Sequence, residues 1–208
     1  MTKEQAINIV LSCADKYKNE LLNKCLLFVV IDKSKRLSFV ETRFGAGQFL
    51  HLTGLKITDK ECSATRFFKK CLDHKLSPDD FEFADNQTTI MKLEVMPSLI
   101  CKNLAANSVG SYKGFGLVLN TEKLVGGIRG CIGFVSDKKN KYYVPNTLLK
   151  ADIRDFIVDA GRILVTYRRD VTENRYSEIV YAAKNVDWKF LVLPDEYSYL
   201  QLPENGSK

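Results

Sequence analysis

At 208 residues, with 45% apolar and 27% charged side chains, the chain is long enough to bury one substantial core and too apolar for global disorder. No apolar run approaches the ~20 residues that a membrane-spanning helix needs. The polar, acid-containing start Met1-Thr2-Lys3-Glu4-Gln5 lacks the marks of a secretion signal, so the expected location is the cytoplasm, with no membrane partner.

In chain order, Thr2 and Gln5 have capping-box spacing, and Ile7, Val10, Ala14, Tyr17 and Leu21 then recur every three or four residues. That pattern predicts an amphipathic helix. Residues 26–31 are an uninterrupted apolar run of buried-strand length, followed by a polar turn and a second strand over 37–44, which together predict a hairpin. Gly45-Ala46-Gly47 breaks it, and residues 49–55 read as a structured loop or single helical turn. A further helix begins near Cys62 with Ala64, Phe67, Phe68, Cys71 and Leu72 as its apolar stripe. Ser77-Pro78-Asp79-Asp80 carries the signals of another helix start. A helical region is predicted over 88–107, kinked or divided at Pro97.

Beyond Asn107 the character changes. Short strands are predicted over 115–119, 125–135, 142–144, 162–169 and 177–184, with a helical turn or short helix within 148–158. The chain therefore reads as α+β, a single domain over 1–190 with a helix-rich first half and a sheet-rich second half. Residues 191–208 read as a C-terminal extension, partly disordered.

Six cysteines without a CxxC pair read as reduced, mostly buried thiols, and the same lack of paired ligands argues against zinc. No P-loop, dinucleotide fingerprint, HExxH or GxSxG motif occurs, and no carboxylate cluster resembles a two-metal centre. Neither a metal nor a cofactor is expected. Asp152 and Asp155, one helical turn apart, read as surface partners of Arg154 and Lys150.

The net charge of +6 favours a polyanionic partner without specifying one; its local excess lies at Lys138, Lys139 and Lys141, and at Arg168 with Arg169. Only two histidines are present. His74 follows a lysine-rich helix and reads as an exposed helix-end residue. His51, between Leu50 and Leu52, has two readings: a core imidazole bonded to backbone, or an acid–base group held in fixed orientation by its apolar neighbours. Read as a strand, residues 125–135 put Arg129 on one face among small residues, open to a phosphate or simply solvated. The same alternation groups Arg162, Thr166 and Arg168 on one face of a later strand, and Ile179, Tyr181 and Ala183 on one face of the last.

Several segments taken in order, Phe49-x-His51-Leu52-Thr53-Gly54-Leu55, Phe67-Phe68-Lys69-Lys70-Cys71-Leu72, Gly110-x-Tyr112, Lys123-Leu124-Val125-Gly126, the block from Tyr142-Tyr143-Val144-Pro145-Asn146-Thr147 through Leu148-Leu149-Lys150-Ala151-Asp152-Ile153-Arg154, and Tyr181-Ala182-Ala183-Lys184-Asn185, resemble the phage-associated Barnase–EndoU–Colicin–RelE-like (BECR) nuclease domain family, fourth group. The resemblance spans roughly residues 19–187. It implies an RNase-like fold, helices packed against an antiparallel sheet, and RNA as substrate. It also implies metal-independent cleavage by attack of the ribose 2′-hydroxyl on the adjacent phosphate. On that reading His51 is the general base or acid, Arg129 or Lys150 stabilises charge, and Thr53, Asn146 and Tyr181 orient substrate. Arg168 is a further substrate-binding candidate. His51, Thr53, Asn146 and Lys150 are carried over from matching motifs; Arg129 and Tyr181 come from strand faces. Two other readings of the same fold stand beside the enzyme: a non-catalytic nucleic-acid-binding module, and a phage assembly or interaction protein. Besides RNA, an antitoxin, if the enzyme is a toxin, or a phage protein is the partner to expect.

Overall fold

The computed structural model describes residues 1–114, 119–138 and 140–203, together with the backbone but not the side chain of Phe190. The strand expected over 115–119 therefore falls almost wholly outside the described residues, as does Lys139. The first helix, α1 (Lys3–Glu20), starts as its sequence dictates: Thr2 Oγ1 accepts from the Gln5 amide, and Gln5 Oε1 accepts from the Thr2 amide. Strands β1 (Lys24–Ile31) and β2 (Leu37–Arg43) form the predicted antiparallel hairpin.

A 3-10 turn over Ala46–Gln48 leads into the short helix α2 (Phe49–Thr53), and strand β3 (Leu55–Ile57) follows. Helix α3 (Ala64–Leu72) buries Phe67, Phe68 and Cys71. The start signals at residues 77–80 produce one 3-10 turn, Pro78–Asp80, which runs into strand β4 (Phe81–Phe83), paired with β3. Helix α4 (Asn86–Leu99) ends two residues past Pro97 instead of continuing to residue 107. Proline lacks the amide to extend a helix, and with no partner turn beyond it the chain leaves the helix.

The second half supplies β5 (Ser108–Tyr112), β6 (Lys123–Gly126), β7 (Cys131–Ser136), β8 (Tyr143–Leu149), β9 (Ile157–Asp170) and β10 (Glu178–Ala182). Of the helix allowed within 148–158, only a 3-10 turn over Ile153–Asp155 forms.

The strands run β1-β2-β8-β7-β6-β5-β9, and β9 pairs back onto β1. The mixed α+β class holds, but the antiparallel sheet that the resemblance implied is in fact a closed seven-strand barrel. Closure is possible because β9 is long: its first residues pair with β5, and its later ones pair with β1 on one edge and β10 on the other. Every junction is antiparallel except β2–β8, a parallel contact at Thr42 and Tyr143.

β1 is buried on both faces, as its unbroken apolar run requires. Leu26, Phe28 and Val30 join the main core with the helices, while Cys25, Leu27 and Val29 join a second cluster with Tyr167, Tyr176 and Trp188. Composition suggested a loose tail, yet Tyr197 stacks on Phe39, Leu200 is buried, and the Tyr167 hydroxyl donates to the Gln201 carbonyl. The six cysteines are free thiols, and burial pushes Cys71 and Cys131 each up to about 12. Among the described residues no helix is long and apolar enough to cross a membrane.

Candidate active site

The site is built outward from an aromatic anchor. Tyr17 of α1 is fully buried, sits edge-on to Phe44, Phe49 and Phe68, and donates its hydroxyl to the Gly45 carbonyl at 2.8 Å. This fixes the turn that leads into α2. Within α2, Phe49, Leu52 and Thr53 face inward, so His51 is left on the solvent side. The helix ends because Gly54 adopts a left-handed conformation, φ +73°. The Thr89 hydroxyl of α4 donates to the freed Gly54 carbonyl at 2.7 Å, locking the end of α2 against α4.

That lock sets the spacing between His51 and Lys92, one helical turn beyond Thr89. Lys92 Nζ donates to the His51 carbonyl at 3.4 Å. Its ammonium has no carboxylate partner among the described residues, and burial holds its pKa below the usual lysine range. β8 contributes Asn146 and Thr147, and the segment before β6 contributes Asn120 and Thr121. Asn146 Nδ2 donates to the Asn120 carbonyl at 2.6 Å, tying the two segments together. Together these six polar residues line an open cleft of about 320 Å³. Thr121 Oγ1 is shut from solvent and has no hydrogen-bond partner among the described residues. It lies against the face of Gly133, where an added Cβ would stand 2.7 Å from it, so this hydroxyl packs beneath the cleft floor.

Of the residues singled out from the sequence, His51 and Asn146 meet in this cleft. Thr53 does not reach it: its side chain is fully buried, donates to the Leu50 carbonyl and accepts from the Leu55 amide, which holds the end of α2 in shape. Arg129 is not on a strand. Residues 127–130 form the turn between β6 and β7, closed by the Gly127 amide donating to the Gly130 carbonyl, so one strand over 125–135 is corrected to a hairpin. Arg129 at its tip lies with Lys150 in a second hollow, where Lys150 pairs with Glu94 at 2.6 Å. Tyr181 is half-buried on β10 against the main core. Arg168 is held by Glu20 and Glu178 and borders another hollow beside Cys101. A bulge also breaks its assumed face: Ile163 joins the main core while Val165 and Tyr167 join the second cluster. Arg169 is buried between the Tyr142 and Tyr176 rings. His74 is exposed, 3.8 Å from Asp15.

Lys92 and Thr121 were missed. The signal for Lys92 was present: it interrupts the buried stripe of Thr89, Leu93 and Met96, where a cation is unusual. Thr121 had no local signal, since its burial depends on strands folding over it.

Gly54→Ala should destabilise the protein by about 1–2 kcal/mol, because a non-glycine residue in the left-handed region costs that much. The added methyl would also stand 3.2 Å from Thr89 Cα and 3.0 Å from Lys92 Cδ. Urea unfolding measures the loss, and an unchanged midpoint would show that the lock between α2 and α4 carries no strain.

A closed barrel carries helices on one side, and the cleft between them holds a histidine, a lysine without a carboxylate partner among the described residues, and side-chain amides and hydroxyls, a lining whose chemistry suits a polar, anionic ligand. The chain belongs to the family described as phage-Barnase-EndoU-ColicinE5/D-RelE like nuclease4, whose model matches residues 9–185. Membership makes it a nuclease-like protein with nucleic acid as the implied substrate. No curated protein and no solved structure matches it.

Proposed function

We propose that the protein is an endoribonuclease that cleaves RNA without a metal, at the cleft between α2, α4 and β8. The observation that carries this reading is the meeting of His51 with Lys92, a cation without a carboxylate partner whose charge is free for a phosphate. The cleft lining includes this cation and no carboxylate, the reverse of what a divalent metal selects.

In the proposed reaction His51 takes the proton from a ribose 2′-hydroxyl. The 2′-oxygen attacks the adjacent phosphorus, the O2′–P bond forms, and the P–O5′ bond breaks. Lys92 holds the charge that builds on the phosphoryl oxygens and gives a proton to the departing 5′-oxygen. The products are a 2′,3′-cyclic phosphate end and a 5′-hydroxyl end. Asn146 orients the phosphate by donation. A lysine whose pKa is lowered is a stronger acid than an ordinary one, which suits the second proton transfer.

The test uses matched oligonucleotides in EDTA. The ribose strand should be cut to a cyclic phosphate terminus detectable by mass spectrometry. The all-deoxy strand, lacking the nucleophile, should stay intact. Cleavage of both strands, or activity only after adding a divalent cation, would remove this mechanism.

A further inference from the structure

The cleft has a neighbour built on the same two elements. Lys92 of α4 and Asn146 and Thr147 of β8 line the first hollow; Glu94, Val95 and Ser98 of α4, with Lys150 just past β8, border the second. At strand rise, Lys150 lies about 13 Å along from Asn146, roughly two nucleotide steps of an extended single strand. The hairpin tip completes this second hollow of about 470 Å³. It is seated there by Gly130: a methyl at that position would overlap Val95 and stand 3.0 Å from the Leu149 carbonyl. Only glycine lets the tip come this close to α4 and the end of β8, and the closeness brings Arg129 beside Lys150.

The charges in this hollow are arranged as a switchable pair. Arg129 is exposed and has no carboxylate partner among the described residues. Lys150 is paired to Glu94, but the two side chains are 51% and 44% exposed, so the pair is weak and an incoming phosphate can replace the carboxylate. Guanidinium and ammonium together suit two phosphoryl oxygens. Ile128, 63% exposed on the same tip, offers an apolar surface to a base.

We infer that Arg129 and Lys150 form a distal phosphate subsite, about two nucleotides from the His51 cleft, which selects strands longer than a dinucleotide, with Glu94 as its gate. This inference rests on the ribonuclease reading and adds substrate length to it. Arg129 and Lys150 act on binding, remote from the reacting atoms.

Fluorescence anisotropy with non-cleavable 2′-O-methyl RNA, an eight-mer and a dinucleotide, over a range of salt concentrations, tests it. The eight-mer should bind roughly tenfold or more tightly than the dinucleotide. Arg129→Ala should weaken eight-mer binding roughly three- to tenfold and reduce its salt slope by about 0.7, the loss of one phosphate contact on a single strand. Glu94→Gln should act in the opposite sense and tighten the eight-mer about threefold by freeing Lys150. A Glu94 that merely braced the fold would give weaker binding. Unchanged eight-mer affinity in both variants, or weakening by Glu94→Gln, overturns the subsite while leaving the His51 reading standing. No binding of either oligonucleotide by the unaltered protein removes both.

Discussion

His51→Ala is expected to cut RNA at about 10²–10⁴ times lower rate than the unaltered protein, the usual worth of a positioned acid–base group. Its unfolding free energy is expected to stay within about 0.5 kcal/mol of the original. The two halves of this expectation follow from one placement. α2 buries Phe49 and Leu52 and turns His51 outward, so removal of the ring opens no cavity. The link from His51 to Lys92 runs through the backbone carbonyl, which alanine retains. Loss of rate therefore reports on chemistry and not on a displaced lysine. Single-turnover cleavage together with urea unfolding separates the outcomes. Full activity in His51→Ala would end the imidazole's role, and joint loss of rate and stability would show it to be a packing residue.

Where the sequence could be read, short-range physics was sufficient. The Thr2 cap, the β1–β2 hairpin and the buried stripe of α3 each depend on neighbours within a few residues, and each forms as predicted. Barrel closure depends on β1 meeting β9, strands from opposite ends of the chain, such as Leu26 opposite Arg168. No periodicity encodes a pairing between such distant segments; alternation specifies faces, not partners. The misplacement of Arg129 has a more local cause. Residues 125–135 alternate well enough for one strand, but the glycines at 126, 127 and 130 permit a reversal that brings Gly126 opposite Cys131. Half of the cleft was legible: His51 and Asn146 stand in recognisable segments. The other half was not read: Lys92 shows in the sequence only as a cation interrupting a buried stripe, and what it faces depends on where α4 packs, while Thr121 carries no local signal.

Lys92→Met should lower the single-turnover rate about 10²–10³-fold, the range found when one preorganised donor to a developing oxyanion is removed. The same change should raise resistance to urea at neutral pH. Burial penalises the ammonium in the native protein, so its pKa is lower folded than unfolded. Between those two values the unfolded chain binds the extra proton, and stability rises with pH through that window; below it the penalty is present in full. Methionine keeps the length and apolar stem without the charge, so it removes the penalty and the catalysis together. The pH profile supplies a readout that a structural lysine would not move. If the cation is needed, activity should fall on the alkaline side at a pH below the ordinary lysine range, where Lys92 gives up its proton. Lys92→Arg, charged at every accessible pH, should shift that limb upward while retaining part of the rate. An alkaline limb that stays in place in Lys92→Arg, or a methionine variant as fast as the original, would mean that the charge in the cleft serves neither the phosphate nor the leaving oxygen. A variant both slower and less stable would instead mark Lys92 as a brace between α2 and α4.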